Sequence, residues 1–341
     1  MDNALLREKF SLNNAVRFIG EYMEHSDWLY WFWIKKLKKD RSLERWALRH
    51  LHHRNYLNLL AERVIDFNRL HHRPCSVRVN SIWIDGTPQA TAKARTKEVK
   101  CELADLLYIV EELNHKGDRI ARKGILVQGK NTVHPRKIDS GNSTKKERAL
   151  FEKLDRRYEL TLKAGVSKTS KLIGEYFLDS TVKEGLSDCA RFLLMPKMRY
   201  SFYDDISNCS PFHVTWPKRE TSTEMVIGQS LTETVIEMYS GTNVGKKIID
   251  PSNCEWSRMV LDLENGYKGV EMKGYDRQKR HYSSDICSFK VNKHLPQDSQ
   301  VRSEFYGLNE ELIDLKSLPY ISIIKVSVQY PPQDEPNKRL I

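Results

Sequence analysis

The sequence has no closely spaced pair of cysteines. Its six cysteines are far apart from one another: Cys75, Cys101, Cys189, Cys209, Cys254 and Cys287. Because there is no C-x-x-C pair, the sequence supports neither a zinc ribbon nor a dithiol redox motif. We expect reduced thiols, and with them the cytoplasm as the compartment.

A long hydrophobic run is missing as well. The most apolar stretch, WLYWFWI at 28–34, has only seven residues, whereas a membrane-spanning helix needs about 20. The first ten residues, MDNALLREKF, lack the apolar core of a secretory signal. We therefore expect no membrane association, and a buried amphipathic helix at 28–34.

Positive charge, in contrast, is in excess. The 341 residues carry a formal net charge of +11, and 40% of them are hydrophobic, as in soluble globular proteins. A basic balance suits a polyanionic partner such as nucleic acid. Basic globular proteins with other roles are common, so charge alone does not identify the partner. The sequence shows no helix-turn-helix or zinc-finger pattern, so sequence-specific recognition of DNA is not predicted.

Hydrophobic periodicity predicts a helical region followed by a mixed sheet. Residues 1–70 show helical spacing. The next elements are predicted as strands at 76–84, 104–113 and 124–130, a helix at 144–165 and a strand at 190–197. The second and third strands pair as a hairpin, and the helix forms a right-handed crossover to a parallel fourth strand. The predicted fold class is α/β, with a mixed sheet that has helices on both sides.

Beyond residue 200 the pattern is less regular. It predicts a loop at 200–217, helices at 221–241 and 253–266, and a strand at 319–332. We divide the chain into three parts, which are an N-terminal helical region (1–54), a core (55–200) and a C-terminal α/β extension packed on the core (201–341).

Histidines are concentrated around the early helices. They are His50, His52, His53, His71 and His72. Because no carboxylate or cysteine shares a regular ligand spacing with them, a solvent-facing or DNA-facing surface is favoured over a metal site.

The segment GILVQGKNT, at 124–132, nearly matches the phosphate-binding loop signature G-x-x-x-x-G-K-[ST]. A phosphate-binding loop follows a strand, and a helix begins at its lysine. Here polar residues come before the motif, its variable positions begin with Ile-Leu-Val, and Pro135 disrupts a helix after Lys130. Asn131 also lacks the hydroxyl that would hold Mg²⁺. We therefore interpret this segment as a strand.

As strand residues, Gln128 and Lys130 point to the same face because they are two positions apart. Asp105 begins the preceding apolar run, in CELADLLYIV. A hairpin of the two strands brings a carboxylate, an amide and an ammonium together. Carboxylate and amide oxygens can bind Mg²⁺, which polarises a phosphoryl oxygen and lowers the pKa of a bound water. A lysine offsets the charge that grows on the phosphate, so the set suits phosphodiester hydrolysis.

This order of elements, with Asp105 on the second strand and Gln128-x-Lys130 on the third, resembles the PD-(D/E)XK nuclease superfamily, which has the restriction-endonuclease-like fold. The resemblance covers residues 55–200. It implies an αβββαβ core, a metal-dependent nuclease that uses Mg²⁺ or Mn²⁺, and DNA as the substrate. Looser similarity to uncharacterised bacterial members implies restriction or anti-phage defence. The resemblance also implies a partner protein from a defence system, and a dimer as the oligomeric state.

Two features of the metal site stay open. Gln128 stands where most members carry Glu or Asp, although Q-x-K variants occur, in Mrr-like restriction enzymes among others. A neutral amide binds Mg²⁺ more weakly than a carboxylate, so we expect activity to need high metal concentration, Mn²⁺ or a partner. The further acid is either Glu102, if the second strand begins after it or bulges, or Glu62 on the helix before the first strand. Asp85, in Asp-Gly-Thr-Pro, is assigned to a turn.

Basic residues around the site are expected to contact the DNA backbone. They come before the second strand, before the third strand or after it, and comprise Lys93, Arg95, Lys97, Lys100, Arg119, Arg122, Lys123, Arg136, Lys137, Lys145 and Lys146. The alternative from another class is a nuclease-like subunit without catalysis that binds nucleic acid or a partner protein. The neutral Gln128 favours this alternative.

Overall fold

The computed structural model describes residues 43–332, except 53, 85–87, 135, 168, 179–181, 183, 198–211, 221, 227, 241–243, 267–286 and 292–318. The predictions for 1–42, which include the apolar stretch 28–34, and for Asp85 lie outside the described residues. Within the described ranges, no helix is long and apolar enough to cross a membrane.

The described part contains five helices and thirteen strands. The helices are α1 (Leu43–His50), α2 (Arg54–Leu70), α3 (Asn142–Lys153), α4 (Leu231–Tyr239) and α5 (Glu255–Asn265). The strands are β1 (Ser76–Ile82), β2 (Gln89–Ala94), β3 (Lys97–Glu102), β4 (Leu106–Leu113), β5 (Arg119–Thr132), β6 (Leu160–Lys163), β7 (Leu172–Tyr176), β8 (Ala190–Pro196), β9 (His213–Thr215), β10 (Gln229–Ser230), β11 (Lys246–Lys247), β12 (Cys287–Val291) and β13 (Ser322–Gln329).

The strands form a large and a small sheet. In the large sheet the order is β10-β9-β8-β5-β4-β13-β1-β12, and β11 pairs with β5. The small sheet has the order β3-β2-β6-β7. Strands β4 and β5 are antiparallel, and β5 and β8 are parallel. The predicted hairpin, the parallel fourth strand and the mixed α/β class are therefore confirmed.

Alternation along β4 explains why helices cover both faces of the large sheet. Leu107 and Ile109 pack in one core with residues of α3 and α5. Leu106, Tyr108 and Val110 pack in a second core with residues of α1, α2 and α4. A strand buried on both faces has a continuous apolar sequence, as LLYIV does. This burial stabilises the hairpin that carries the predicted site. Burying each large apolar side chain contributes about 1.5–3 kcal/mol to the free energy of folding.

The predicted helix at 144–165 is wrong in its second half. Helix α3 ends at Lys153, and Leu160–Lys163 forms strand β6. The chain leaves the helix because its end bonds to β2. Arg95 N donates to the carbonyl of Lys153 at 3.1 Å, and Asp155 N donates to the carbonyl of Lys93 at 2.8 Å. These tertiary hydrogen bonds outweigh the helical propensity of the charged segment.

The predicted helix at 221–241 is also too long. Helix α4 begins at Leu231, after Ser230, whose hydroxyl accepts from the backbone of Glu233 while the Glu233 side chain accepts from the backbone of Ser230. This reciprocal pair is a capping box, and its S-x-x-E signature is present in the sequence. The predictions of a helix at 253–266 and a strand at 319–332 are confirmed by α5 and β13.

The expected run of consecutive core strands is interrupted. Strands β2 and β3 come between β1 and β4 in sequence but belong to the small sheet. Strand β13 lies between β1 and β4, antiparallel to β1 and parallel to β4. The C-terminal region therefore contributes a central strand, where we expected an extension packed on the core. The boundaries at 54 and 200 stay predictions.

Two histidines of the early cluster are buried, so the prediction of a solvated surface is wrong for them. His50 is 5% exposed and His52 is 2% exposed. The His52 ring lies against Trp83, and its Nδ1 is 2.7 Å from Ser81 Oγ. Within the described ranges, no group of His, Cys, Asp and Glu side chains is arranged to hold a metal ion. These histidines are part of the core.

We expect the free energy of unfolding to fall between pH 7 and pH 5. Burial lowers the pKa of His52 to about 3, and burial together with Arg136 lowers the pKa of His213 to about 4. Both pKa values are depressed by folding, so stability is full above 6.5, the ordinary histidine value, and is lost as the pH falls toward 4. At pH 5 each of the two histidines should lower the free energy of unfolding by about 2 kcal/mol relative to pH 7.

Urea unfolding at the two pH values checks this expectation. His213→Gln should reduce the loss by about half, whereas His72→Gln, at an exposed position, should leave the loss unchanged. Because the raised pKa of Asp105 adds stability as the pH falls, the informative comparison is between variants: equal losses in the wild-type chain and in His213→Gln would contradict the buried neutral state of the His213 ring.

Candidate active site

The three residues predicted to act together meet at one end of the β4–β5 hairpin. Asp105 directly precedes β4, while Gln128 and Lys130 lie in the second half of β5. The antiparallel register pairs Leu106 with Val127, so the start of β4 lies beside the residues that carry the amide and the ammonium. The geometry required by the hairpin prediction is therefore present.

Asp105 is bound to β5 through both its backbone and its side chain. Its backbone N donates to the carbonyl of Val127 at 3.0 Å. Its Oδ2 accepts from Gln128 Nε2 at 2.6 Å and from the backbone N of Gly129 at 2.7 Å. The other end of the amide, Gln128 Oε1, is buried and has no hydrogen-bond partner among the residues that the structure describes. An unsatisfied buried acceptor costs about 1–3 kcal/mol, so it marks a position where a ligand would be stabilising.

The ammonium of Lys130 is held by helix α3. Lys130 Nζ lies 2.6 Å from Oε2 of Glu147, and the lysine side chain is 12% exposed. Ser143 lies one helical turn before Glu147, and its hydroxyl donates to Glu147 Oε1 at 2.7 Å. The predicted helix thus supplies a carboxylate that the sequence interpretation had not assigned to the site.

A second acid reaches the site from helix α1. Glu44 Oε2 accepts a hydrogen bond from the backbone N of Asn131 at 3.0 Å. Gly129 allows the helix to come this close, because a Cβ on Gly129 would lie 3.1 Å from Leu48 Cδ2 and 2.8 Å from Met195 Cε. Glu44 was missed because it lies 87 positions before Asn131 in the sequence. The glycine within β5 was the sequence signal of a close neighbour.

Burial and neighbouring charges shift the pKa of both central groups upward. Burial raises the pKa of the Asp105 carboxyl well above its ordinary value, Lys130 opposes this shift, and the remaining acids add to it: Glu44, Glu102 and Glu147. Burial alone lowers the pKa of Lys130. Three carboxylates outweigh burial and raise this pKa above its ordinary value: Glu44, Asp105 and Glu147. The lysine is therefore a cation throughout the neutral range.

Of the two alternative acids, the structure brings Glu102 to the site. Glu102 ends β3 and is separated from Asp105 by two residues, so β4 does begin after it. Its charge acts on Asp105. Glu62 lies on α2, and its assignment as a metal ligand stays a prediction. Glu44 is an acid from the N-terminal helices whose charge acts on both Asp105 and Lys130.

The site offers Mg²⁺ few protein ligands. Asp105 carries a carboxylate, and the Gln128 amide oxygen has no hydrogen-bond partner among the described residues; oxygen donors of this kind suit Mg²⁺, which keeps several waters. The amide nitrogen faces Asp105 in this arrangement, so the amide group would have to turn over for both oxygens to bind one ion. Across the described residues, no three His, Cys, Asp or Glu side chains form a metal-binding group. Asp105 and Gln128 would therefore hold the ion together with water and substrate oxygens.

Three of the basic residues expected to contact DNA do not flank the site. Strand β5 begins at Arg119, so it contains Arg119, Arg122 and Lys123, which we expected to precede it. Lys123 is seven positions from Lys130, which corresponds to about 23 Å along a strand. The Arg122 side chain is only 5% exposed and bonds to Glu264. The prediction for Arg122 is wrong because internal carboxylates bind its guanidinium.

The other basic residues of that set are at the surface. Arg95 lies at the turn between β2 and β3, where its guanidinium pairs with Glu184 and Glu220. Lys97 begins β3 and is exposed. Arg136 and Lys137 are exposed and follow the end of β5 that carries Lys130. Their role in binding nucleic acid stays a prediction.

Comparison with known proteins adds no relative. No protein-family model, no curated protein and no solved structure matches this chain.

Proposed function

We propose that this protein is a metal-dependent nuclease that hydrolyses DNA phosphodiester bonds, with its active site at the end of the β4–β5 hairpin. The observation that carries the proposal is the convergence of Asp105, Gln128 and Lys130, of which Gln128 has a buried, unsatisfied oxygen. The excess of positive charge over the whole chain supports a polyanionic substrate.

Each residue has a distinct task in this proposal. Asp105 and Gln128 would hold Mg²⁺, or Mn²⁺ in its place, and the ion would polarise the phosphoryl oxygen and lower the pKa of a water. Lys130 stays protonated, so it acts as a fixed cation that offsets the charge growing on the phosphate. Burial raises the pKa of the Asp105 carboxyl, and a bound cation would favour its ionised form.

Gln128→Glu should strengthen metal binding. The change replaces the amide that donates to Asp105 with a second carboxylate. The two carboxylates repel each other without a cation and attract one when it is present. We expect a lower melting temperature in EDTA, a larger rise on adding Mg²⁺, and a roughly tenfold lower Mg²⁺ concentration for half-maximal cleavage, about 1.4 kcal/mol.

Gln229→Glu is a matched control for this variant. Gln229 Nε2 donates to Glu237 Oε2 at 2.8 Å, so this change also sets two carboxylates against each other, but away from the proposed site. Gln229→Glu should lower the melting temperature, and added Mg²⁺ should not raise it again. Equal Mg²⁺ responses of the two variants would exclude Asp105 and Gln128 as the metal ligands.

One observation favours a second candidate, a nuclease-like subunit without catalysis. The amide nitrogen of Gln128, and not its oxygen, faces Asp105, and the resulting hydrogen bonds also suit a purely structural role at the start of β4. Such a subunit would bind nucleic acid or a partner protein. For both candidates we propose a role in bacterial restriction or anti-phage defence. Cleavage of supercoiled, linear and single-stranded DNA with Mg²⁺ or Mn²⁺ separates the two.

A further inference from the structure

Helix α3 binds the Lys130 ammonium through two side chains one turn apart. Glu147 Oε2 lies 2.6 Å from Lys130 Nζ, and Glu147 Oε1 accepts the hydroxyl of Ser143 at 2.7 Å. Ser143 holds one oxygen of this carboxylate, whose side chain is only 4% exposed, and the other oxygen forms the ion pair with Lys130. A buried carboxylate held in this way limits where the ammonium can lie.

The location of this pair matters because Lys130 is flexible by itself. A lysine has a long stem and a compact, rotatable charge, so its position depends on what binds the ammonium. Lys130 lies at the end of β5, two positions after Gln128 and beside Asp105. An unrestrained ammonium here could pair directly with Asp105 and take the position of a cation.

We propose that Glu147, fixed by Ser143, is a positioning residue that holds the Lys130 ammonium beside the substrate phosphate and away from Asp105. The inference rests on the proposed nuclease function. In this proposal Glu147 acts on the substrate through Lys130, although its charge also acts on Asp105. Misplacing a charged group by about 1 Å can reduce a rate about 100-fold.

The test compares steady-state DNA cleavage by four forms of the full chain: wild type, Glu147→Gln, Glu147→Asp and the control Glu152→Gln. Glu152 is a matched control because it is also on α3, is equally buried at 4% exposed, and pairs with an arginine, Arg148, away from Lys130. The change Glu147→Gln is also made in a Lys130→Met background.

We expect Glu147→Gln to lower kcat about 10- to 100-fold with little change in KM. Glu147→Asp keeps the charge and should recover part of that loss, while Glu152→Gln should keep kcat near the wild-type value. In the Lys130→Met background, Glu147→Gln should change kcat far less than in the wild-type chain, because the ammonium that Glu147 positions is gone and its effect on Asp105 is all that is left. If Glu147→Gln does not fold, the kcat of Glu147→Asp is compared with that of the control Glu152→Gln.

Two results overturn the inference alone. One is a Glu147→Gln variant with the kcat of Glu152→Gln, and the other is an equal effect of Glu147→Gln with and without Lys130. A wild-type chain that cleaves no DNA with either metal gives a different pattern, in which all forms are equally inactive. That pattern overturns the proposed function, and the inference with it.

Discussion

Lys130→Met should reduce metal-dependent DNA cleavage about 100- to 1,000-fold, the cost of removing one electrostatic donor from a preorganised site. Methionine keeps the length and much of the volume of the side chain but removes the charge that offsets the phosphate. The loss should appear in kcat, because the interaction is stronger in the transition state than in the ground state.

Lys246→Met is the matched control for this variant. Lys246 is similarly buried, at 17% exposed, and pairs with Asp188 at 2.9 Å, but it lies on β11. We expect this variant to keep its cleavage rate. Similar rates for Lys130→Met and the wild type would remove Lys130 from the active site.

Arg122→Met should lower the free energy of unfolding by about 3–5 kcal/mol, the usual cost of breaking a buried ion pair from one side. The Arg122 guanidinium bonds to Glu264 on α5 and has its Nε 3.5 Å from Glu111 Oε2 on β4. Its removal takes the cation from Glu264 and leaves Glu111 to the exposed Arg119. Denaturation in urea measures the loss.

Arg119→Met gives the comparison on the same strand. Arg119 Nε is 3.7 Å from the same Glu111 oxygen, but its side chain is 55% exposed, so its loss should cost less than about 1 kcal/mol. Folded Arg122→Met should cleave DNA at the wild-type rate. A variant of normal stability with weakened DNA binding would instead restore Arg122 to the nucleic-acid surface.

The sequence allowed the central hairpin to be predicted because the pattern there is local. The apolar run in β4 is buried on both faces and the turn NHKGD follows it, so the two strands and their pairing could be inferred without distant contacts. Gln128 and Lys130 then share a face by alternation alone. The proximity of Asp105 to Gln128 follows from the same register.

The small sheet was not predicted, because its strands have weak apolar patterns. Strand β2 is QATAKA, whose buried positions are alanines, and the segment of β6 looked like the end of a helix. Both become strands through pairing with each other across a long separation in the chain. Such pairing depends on tertiary contacts that override local propensity.

The acids around the site could be predicted only in part. Glu102 was recognised because it is close to Asp105 in the chain. Glu44 and Glu147 come from helices on opposite faces of the sheet, and their distance from Lys130 depends on how those helices pack. The spacing of residues in the sequence does not encode that packing, so the residue that holds Lys130 required the structure.

The most direct test is DNA cleavage by the wild-type chain and by Asp105→Ala, with EDTA, Mg²⁺ or Mn²⁺, on supercoiled plasmid, linear duplex and single-stranded DNA. We expect the wild type to cut at least one of these substrates only when a divalent metal is present, and Asp105→Ala to lose that activity while staying folded. Metal-dependent cleavage that persists in Asp105→Ala, or a wild type that cuts none of the substrates, would contradict the nuclease assignment.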